Sequence, residues 1–254
     1  MGASLTDEPM KSATDFTSQE SLALLFLGPS GTGKTTVASW FPKPYFIDAD
    51  QNLRGAVNWW KANDRTPDFH YGSPHHDETD KPLKPKDKYR RMVDIFNEAV
   101  ESDEVETVVF DSLTTIGILI EDEIRRGANL KDDAKFEFEH WRKLQLLWRD
   151  TIMQAKTSAK GKIVIFIGHT YTDKDENLGT VNYYVDVQGG IRPKLPRLFS
   201  DSWLFEHYGS KDKEVFGVRT VPTKQEQFLA LKRSLDVPLE FEPTFDMIQK
   251  LFNK

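Results

Sequence analysis

Gly28-Pro29-Ser30-Gly31-Thr32-Gly33-Lys34-Thr35 fits G-x-x-x-x-G-K-[ST], the spacing at which a short loop wraps a chain of phosphates. The glycines let backbone N–H groups curl toward phosphate oxygens, the Lys34 ammonium reaches the β- and γ-phosphates, and the Thr35 hydroxyl can ligate Mg2+. The flanks suit that chemistry, since Leu22–Leu27 is a nearly continuous apolar run, as in a strand buried on both faces, and Lys34–Trp40 reads as a helix opening on the loop. The expected contacts are Gly28, Pro29, Ser30, Gly31, Thr32, Gly33, Lys34, Thr35 and Thr36, and the expected ligands are Mg2+ and ATP or a close relative. Lys34 makes a poor nucleophile here, because its charge is needed on the phosphates.

Such a loop needs a carboxylate on a neighbouring strand end to hold the metal, and Asp111, after Val108-Val109-Phe110, has that position; the bland alternative is an N-cap for the helix that follows. Orienting an attacking water takes a second carboxylate. Asp50, just past the short strand Tyr45–Ile47, is the candidate, with Asp48 its rival and a turn aspartate the alternative. His169 closes the strand Lys162–Ile167 through Gly168, where it either senses the γ-phosphate and passes that signal onward or simply caps the strand.

The elements that must position these residues alternate in kind. Strands Leu22–Leu27, Tyr45–Ile47, Val105–Phe110 and Lys162–Ile167 are separated by helical patterns at Tyr89–Glu101, Leu113–Arg126 and Phe136–Lys156, which predicts an α/β domain with a mainly parallel sheet flanked by helices. Beyond Arg192, the runs Ser202–Tyr208, Glu214–Val221 and Gln227–Leu231 predict antiparallel strands extending that sheet, and Phe245–Phe252 a closing helix. Met1–Glu20, poor in apolar periodicity, reads as a mobile arm; 21–254 reads as one domain, with a surface insertion at about 63–88.

Composition removes several function classes. No apolar run reaches membrane-spanning length and the first 20 residues lack the order of a signal peptide, so a cytoplasmic protein without a membrane partner is expected. The absence of cysteine excludes a thiolate metal site, a cysteine nucleophile and a disulfide framework. A net charge of -6 argues against an all-over electrostatic grip on nucleic acid but leaves room for a local patch. His70, His75 and His76 lack a rigid ligand spacing, so no structural zinc site is expected. The run Lys81–Arg91, with Lys84, Lys86, Lys88, Arg90 and Arg91, could follow a nucleic-acid backbone or be a solvated loop and helix start.

The order GPSGTGKT, FIDAD, VVFDS, IFIGHT resembles the ATPase core of the RecA/RadA superfamily over roughly Ser21–Pro238, and within it the small phage-type RecA-like single-strand annealing recombinases. The resemblance implies ATP hydrolysis with Lys34, Asp50 and His169 in catalytic roles. Asp50 stands where that superfamily commonly has glutamate, and His169 is its switch to a DNA-binding loop, here Thr170–Gly190. It implies ATP bound at protomer interfaces in a ring or filament, completed in trans by Lys232 and Arg233, although those two also read as a solvated turn. It implies single-stranded DNA as partner, with a single-strand binding protein as a further one and, for a phage protein, the host cytoplasm as location. Tyr171, Tyr183 and Tyr184 would stack bases, while Lys174, Arg192, Lys194 and Arg197 would meet phosphates; Asp173, Asp175, Glu176 and Asp186 in the same stretch work against that.

Two rival classes remain at this level. An ATP-dependent loader or assembly switch would use the same loop to grip protein, which the overall acidity favours. A small-molecule kinase would need an arginine-rich lid, and Arg125-Arg126 lies instead on a predicted helix.

Overall fold

In the first strand apolar residues fill every position instead of every second one, because both faces of its sheet are covered. The computed structural model describes residues 21–159, 161–175, 180–210, 213–222, 226–227, 231 and 233–252. In β1 (Leu22–Gly28), Ala23, Leu25 and Leu27 join one core cluster while Leu24 and Phe26 join the other. The same division runs through β2 (Pro44–Asp48), β4 (Thr107–Asp111) and β5 (Ile163–Asp175): Ile47, Val108, Phe110, Val164 and Phe166 face one way, Phe46, Val109, Ile165 and Ile167 the other. With β3 (His70–Gly72) and β7 (Asp201–Ser210) these strands form a parallel sheet in the order β7-β1-β5-β4-β2-β3.

Helices α3 (Pro85–Glu101), α4 (Leu113–Gly127) and α5 (Phe138–Ser158) cover the first face with Ile95, Phe96, Ile116, Ile120, Trp148 and Ile152. The other face is covered by α1 (Lys34–Ala38), α2 (Arg54–Ala62) and α6 (Phe245–Phe252) through Val37, Trp60 and Ile248. Phe110 and Phe166 stack at 4.4 Å between ring centres, and burying each ring contributes about 1.5–3 kcal/mol, so the end of β4 is pinned beside β5. Register then sets the site: Gly28 pairs with His169, Asp48 with Asp111, and Asp111 with Ile167, all at the carboxyl ends of parallel strands, where open α/β sheets bind ligands.

This is the α/β class expected, a mainly parallel sheet with flanking helices and a later antiparallel extension, but several elements differ. β7 pairs parallel with β1, so the antiparallel part begins one strand later, with β8 (Lys213–Arg219) and β10 (Glu240–Phe241). α1 ends at Ala38 and not at Trp40, since its β-branched Thr35, Thr36 and Val37 are weak helix formers and Pro42 and Pro44 follow. α2 is an element without a clear sequence signal, its Gly55, Val57 and Asn58 masking a helix that Ala56 and Trp60 dock on the core. Within 63–88, β3 adds an edge strand whose exposed faces carry no apolar alternation, and Pro85 already begins α3.

The largest difference is β5. It does not stop at Ile167 but continues to Asp175 and turns back antiparallel as β6 (Thr180–Val185), so most of the expected loop Thr170–Gly190 is a hairpin with Tyr171 opposite Tyr184. β9 (Glu226–Gln227) pairs parallel with β6; residues 228–230 of the expected strand Gln227–Leu231 lie outside the described residues, as does the arm Met1–Glu20.

Candidate functional site

β1 leads straight into the Gly28–Thr35 loop. A Cβ on Gly28 would sit 2.3 Å from the Phe205 carbonyl oxygen of neighbouring β7, and Gly33 at φ 84° takes the left-handed turn into α1, so neither position tolerates a side chain. Lys34 is buried, its Nζ donating to the carbonyls of Gly28 (2.8 Å) and Pro29 (2.7 Å). Burial lowers its pKa to about 8 against the pull of Asp111 and Asp50.

The Thr35 hydroxyl donates to Asp111 Oδ2 at 2.7 Å. Burial raises the Asp111 pKa to about 7, with Asp50 and Asp48 adding to the rise and Thr35 and Lys34 opposing it. The Asp111–Ser112 peptide is cis. A hydroxyl and a buried carboxylate held together beside the loop are the donor set of a hard cation, so Thr35 and Asp111 fit Mg2+.

Asp50 is the hub of a second cluster. Ser112 Oγ (3.0 Å) and Thr115 Oγ1 (2.5 Å) donate to its Oδ1, and His169 Nε2 lies 3.3 Å from its Oδ2. Burial pushes the Asp50 pKa up, but the bonds from His169, Thr115 and Ser112 outweigh it and hold the carboxyl below the usual range. Its rival Asp48 instead turns inward, accepting from the Asn52 backbone N–H at 3.2 Å, with its pKa raised by burial.

Lys34, Thr35, Asp50, Asp111 and His169 line one cavity of about 550 Å³, together with Trp40, Asn52, Gly55, Trp59, Phe216 and the segment Glu242–Thr244. Sequence reasoning alone misses that second group. The tryptophans are visible as an excess of large aromatics between Trp40 and Trp60, but Glu242 and Thr244 carry no signal, since only folding brings them to residues two hundred positions earlier.

The expected DNA contacts do not form one patch. Tyr171 and Tyr184 stack at 5.3 Å, and Arg192 lies over Tyr171 at 4.8 Å, bonds its hydroxyl, and donates to the Val187 carbonyl. Tyr183 points elsewhere, lining a cavity with Pro29, Ser30 and Phe216. Lys194 and Arg197 are exposed, but Arg197 lies on a short 3-10 turn (Leu195–Leu198) beside Ser200, which pairs with Ala23 near the start of β1, so it belongs to the opposite end of the sheet from Gly28. The Lys174 side chain lies outside the described residues.

Lys232 also lies outside the described residues. Arg233 donates to the Val237 carbonyl at 2.8 Å, and the next residue, Ser234, is tied to buried Asp201 at the start of β7, again far from Gly28. Arg233 therefore cannot reach its own phosphate loop. In the cationic run Arg91 pairs with Glu98 and Glu78, whereas Lys84, Lys86 and Arg90 are exposed around the start of α3. His75 bonds the Ala49 carbonyl at 2.7 Å. Arg125 bonds the carbonyls of Lys131 and Ala134, and Arg126 pairs with Glu123, at the end of α4 away from Asp111.

No helix among the described residues is long and apolar enough to cross a membrane. Residues 20–229 match the family model AAA_24, described as AAA domain. No curated protein matches the sequence. Among solved structures the chain is similar to a KaiC-like protein from the hyperthermophilic archaeon Pyrococcus horikoshii OT3, at 13% identity over 79% of each chain with a TM-score of 0.45. It is also similar to flagellar accessory protein FlaH from Methanocaldococcus jannaschii, at 10% identity over 79% of this chain and 78% of that one with a TM-score of 0.36.

Proposed function

The chain belongs to the AAA domain family, and from that premise we propose that it is an ATP-driven switch in the cytoplasm. In this reading it binds and hydrolyses Mg-ATP and uses the change to control a grip on single-stranded DNA by the β5–β6 hairpin, in annealing or recombination. The observation that carries the reading is the contact between Asp50 and His169: one carboxylate faces the triphosphate cradle and is bonded to the strand that becomes the hairpin. Thr35 and Asp111 would hold Mg2+, which would supply positive charge against the phosphates. Lys34 holds the phosphates. Asp50, kept ionised, accepts a hydrogen bond from water and orients it. Losing the γ-phosphate changes what Asp50 faces, and His169 carries that change two residues along the same strand face to Tyr171.

In this reading Arg233, remote from its own loop, acts on a neighbouring protomer's nucleotide, in a ring or filament. A single-strand binding protein is then a natural further partner.

One observation favours a second reading. Tyr171, Tyr184 and Arg192 are engaged with one another, which leaves fewer groups for bases and phosphates and suits a hairpin that grips a protein. Anisotropy of a labelled single-stranded oligonucleotide, with and without a non-hydrolysable ATP analogue, separates the two: ATP-promoted binding that weakens with salt supports DNA, and no binding in any nucleotide state moves the output to a protein partner.

A further inference from the structure

The family match ends at residue 229, yet the wall of the nucleotide cavity farthest along the chain is built by Glu242, Pro243 and Thr244. We infer that this carboxyl-terminal segment, with Trp59 of α2, forms a clamp for an amino-substituted nucleobase, with Glu242 accepting the base's exocyclic amine. The inference deepens the nucleotide reading and rests on it.

Five observations support the clamp. Trp40 and Trp59, which both line the cavity, meet at 4.5 Å between ring centres, which offers a base an aromatic surface. Gly55, on the same helix as Trp59, is exposed to the cavity, and a Cβ there would meet no atom within 4 Å, so a space of side-chain size or more is open beside the aromatic wall. The segment is held firmly: Phe245 stacks on Trp59 at 6.0 Å and lies under Arg65 at 4.1 Å, and Gln249 Nε2 donates to the Trp40 carbonyl at 2.5 Å. Thr244 caps α6, its Oγ1 accepting from the Met247 N–H, so Glu242 sits two residues before a fixed point. Glu242 is exposed to the cavity, and an ionised carboxylate offers only acceptors, so it selects a base edge that donates.

Calorimetric titration with inorganic tripolyphosphate and with ATP, both with Mg2+, separates this inference from the reading beneath it. The clamp predicts ATP bound at least tenfold tighter than tripolyphosphate. Equal affinities overturn the clamp alone; failure of both ligands to bind overturns the nucleotide reading and the clamp with it. Gly55→Leu, which fills open space on a helix with a better helix former, should bring ATP down to the tripolyphosphate level while tripolyphosphate binding is unchanged. Undiminished ATP binding by that variant overturns the slot. Glu242→Ala should abolish the preference for ATP over purine riboside triphosphate, which lacks the amine, and a retained preference overturns the role of Glu242.

Discussion

β5 serves two regions that use the same residue types in opposite ways. At the phosphate end of the cleft, Lys34, Thr35, Asp111, Asp50 and His169 converge with their charges unbalanced: Asp111 is pushed up to about 7 and Lys34 down to about 8. A few residues further on, in the hairpin, the cation and aromatics are already satisfied, Arg192 spanning Tyr171 and Tyr184. Unbalanced buried charge marks a place waiting for a ligand, whereas balanced charge marks a brace. In the proposed reading the cleft holds the chemistry and the hairpin is its mechanical output.

The change with the largest expected effect attacks the unbalanced end directly. Lys34→Ala should lower Mg-ATP affinity by about a hundredfold or more and abolish turnover, measured by calorimetry and phosphate release. Asp50→Asn should keep Mg-ATP binding within about threefold while turnover falls by about 10²–10⁴, since only water orientation is lost; normal hydrolysis by this protein would remove Asp50 from that role.

Asp111→Asn separates function from stability. The Asp111 pKa is higher folded than unfolded, so the folded chain holds a proton more tightly. This costs stability that is absent below the ordinary carboxylate range, grows as pH rises from there, and is complete above about 7. At pH 8 the ligand-free Asn protein should therefore melt no lower than wild type and by a few degrees higher, yet lose the Mg-dependent gain in Tm that ATP confers on wild type. The gap between the two melting temperatures should close as the pH falls toward 4. Away from the cleft the effects should be smaller: Lys194→Ala should weaken single-strand binding about equally across sequences and lower the salt slope by about one, with basal ATP turnover unchanged.

The same contrast explains what the sequence disclosed. The strand, turn and helix start around Gly28–Thr35 were legible because they lie in consecutive residues, and the place of Asp111 because the apolar run before it marks a buried strand end. His169 lies at the expected level beside Gly28, but its strand does not end with it: the polar run Thr170–Asp175 shows no apolar alternation because it pairs only with β6 outside the core. α2 and the Glu242–Thr244 wall stayed hidden for a different reason, since their roles depend on residues brought together across most of the chain. Arg233 looks from the sequence like a cation of a neighbour's site, and its tie near Asp201 shows only that it does not serve its own.

The central claim is that nucleotide state in the cleft is felt by the hairpin through Asp50 and His169. Amide hydrogen exchange at residues 170–172 and 183–185, with and without Mg2+ and a non-hydrolysable ATP analogue, in wild type and in His169→Ala, tests it most directly. The account predicts that the analogue changes exchange at these amides in wild type and leaves it unchanged in His169→Ala, which still binds the analogue. Identical exchange in wild type with and without the bound analogue would contradict it.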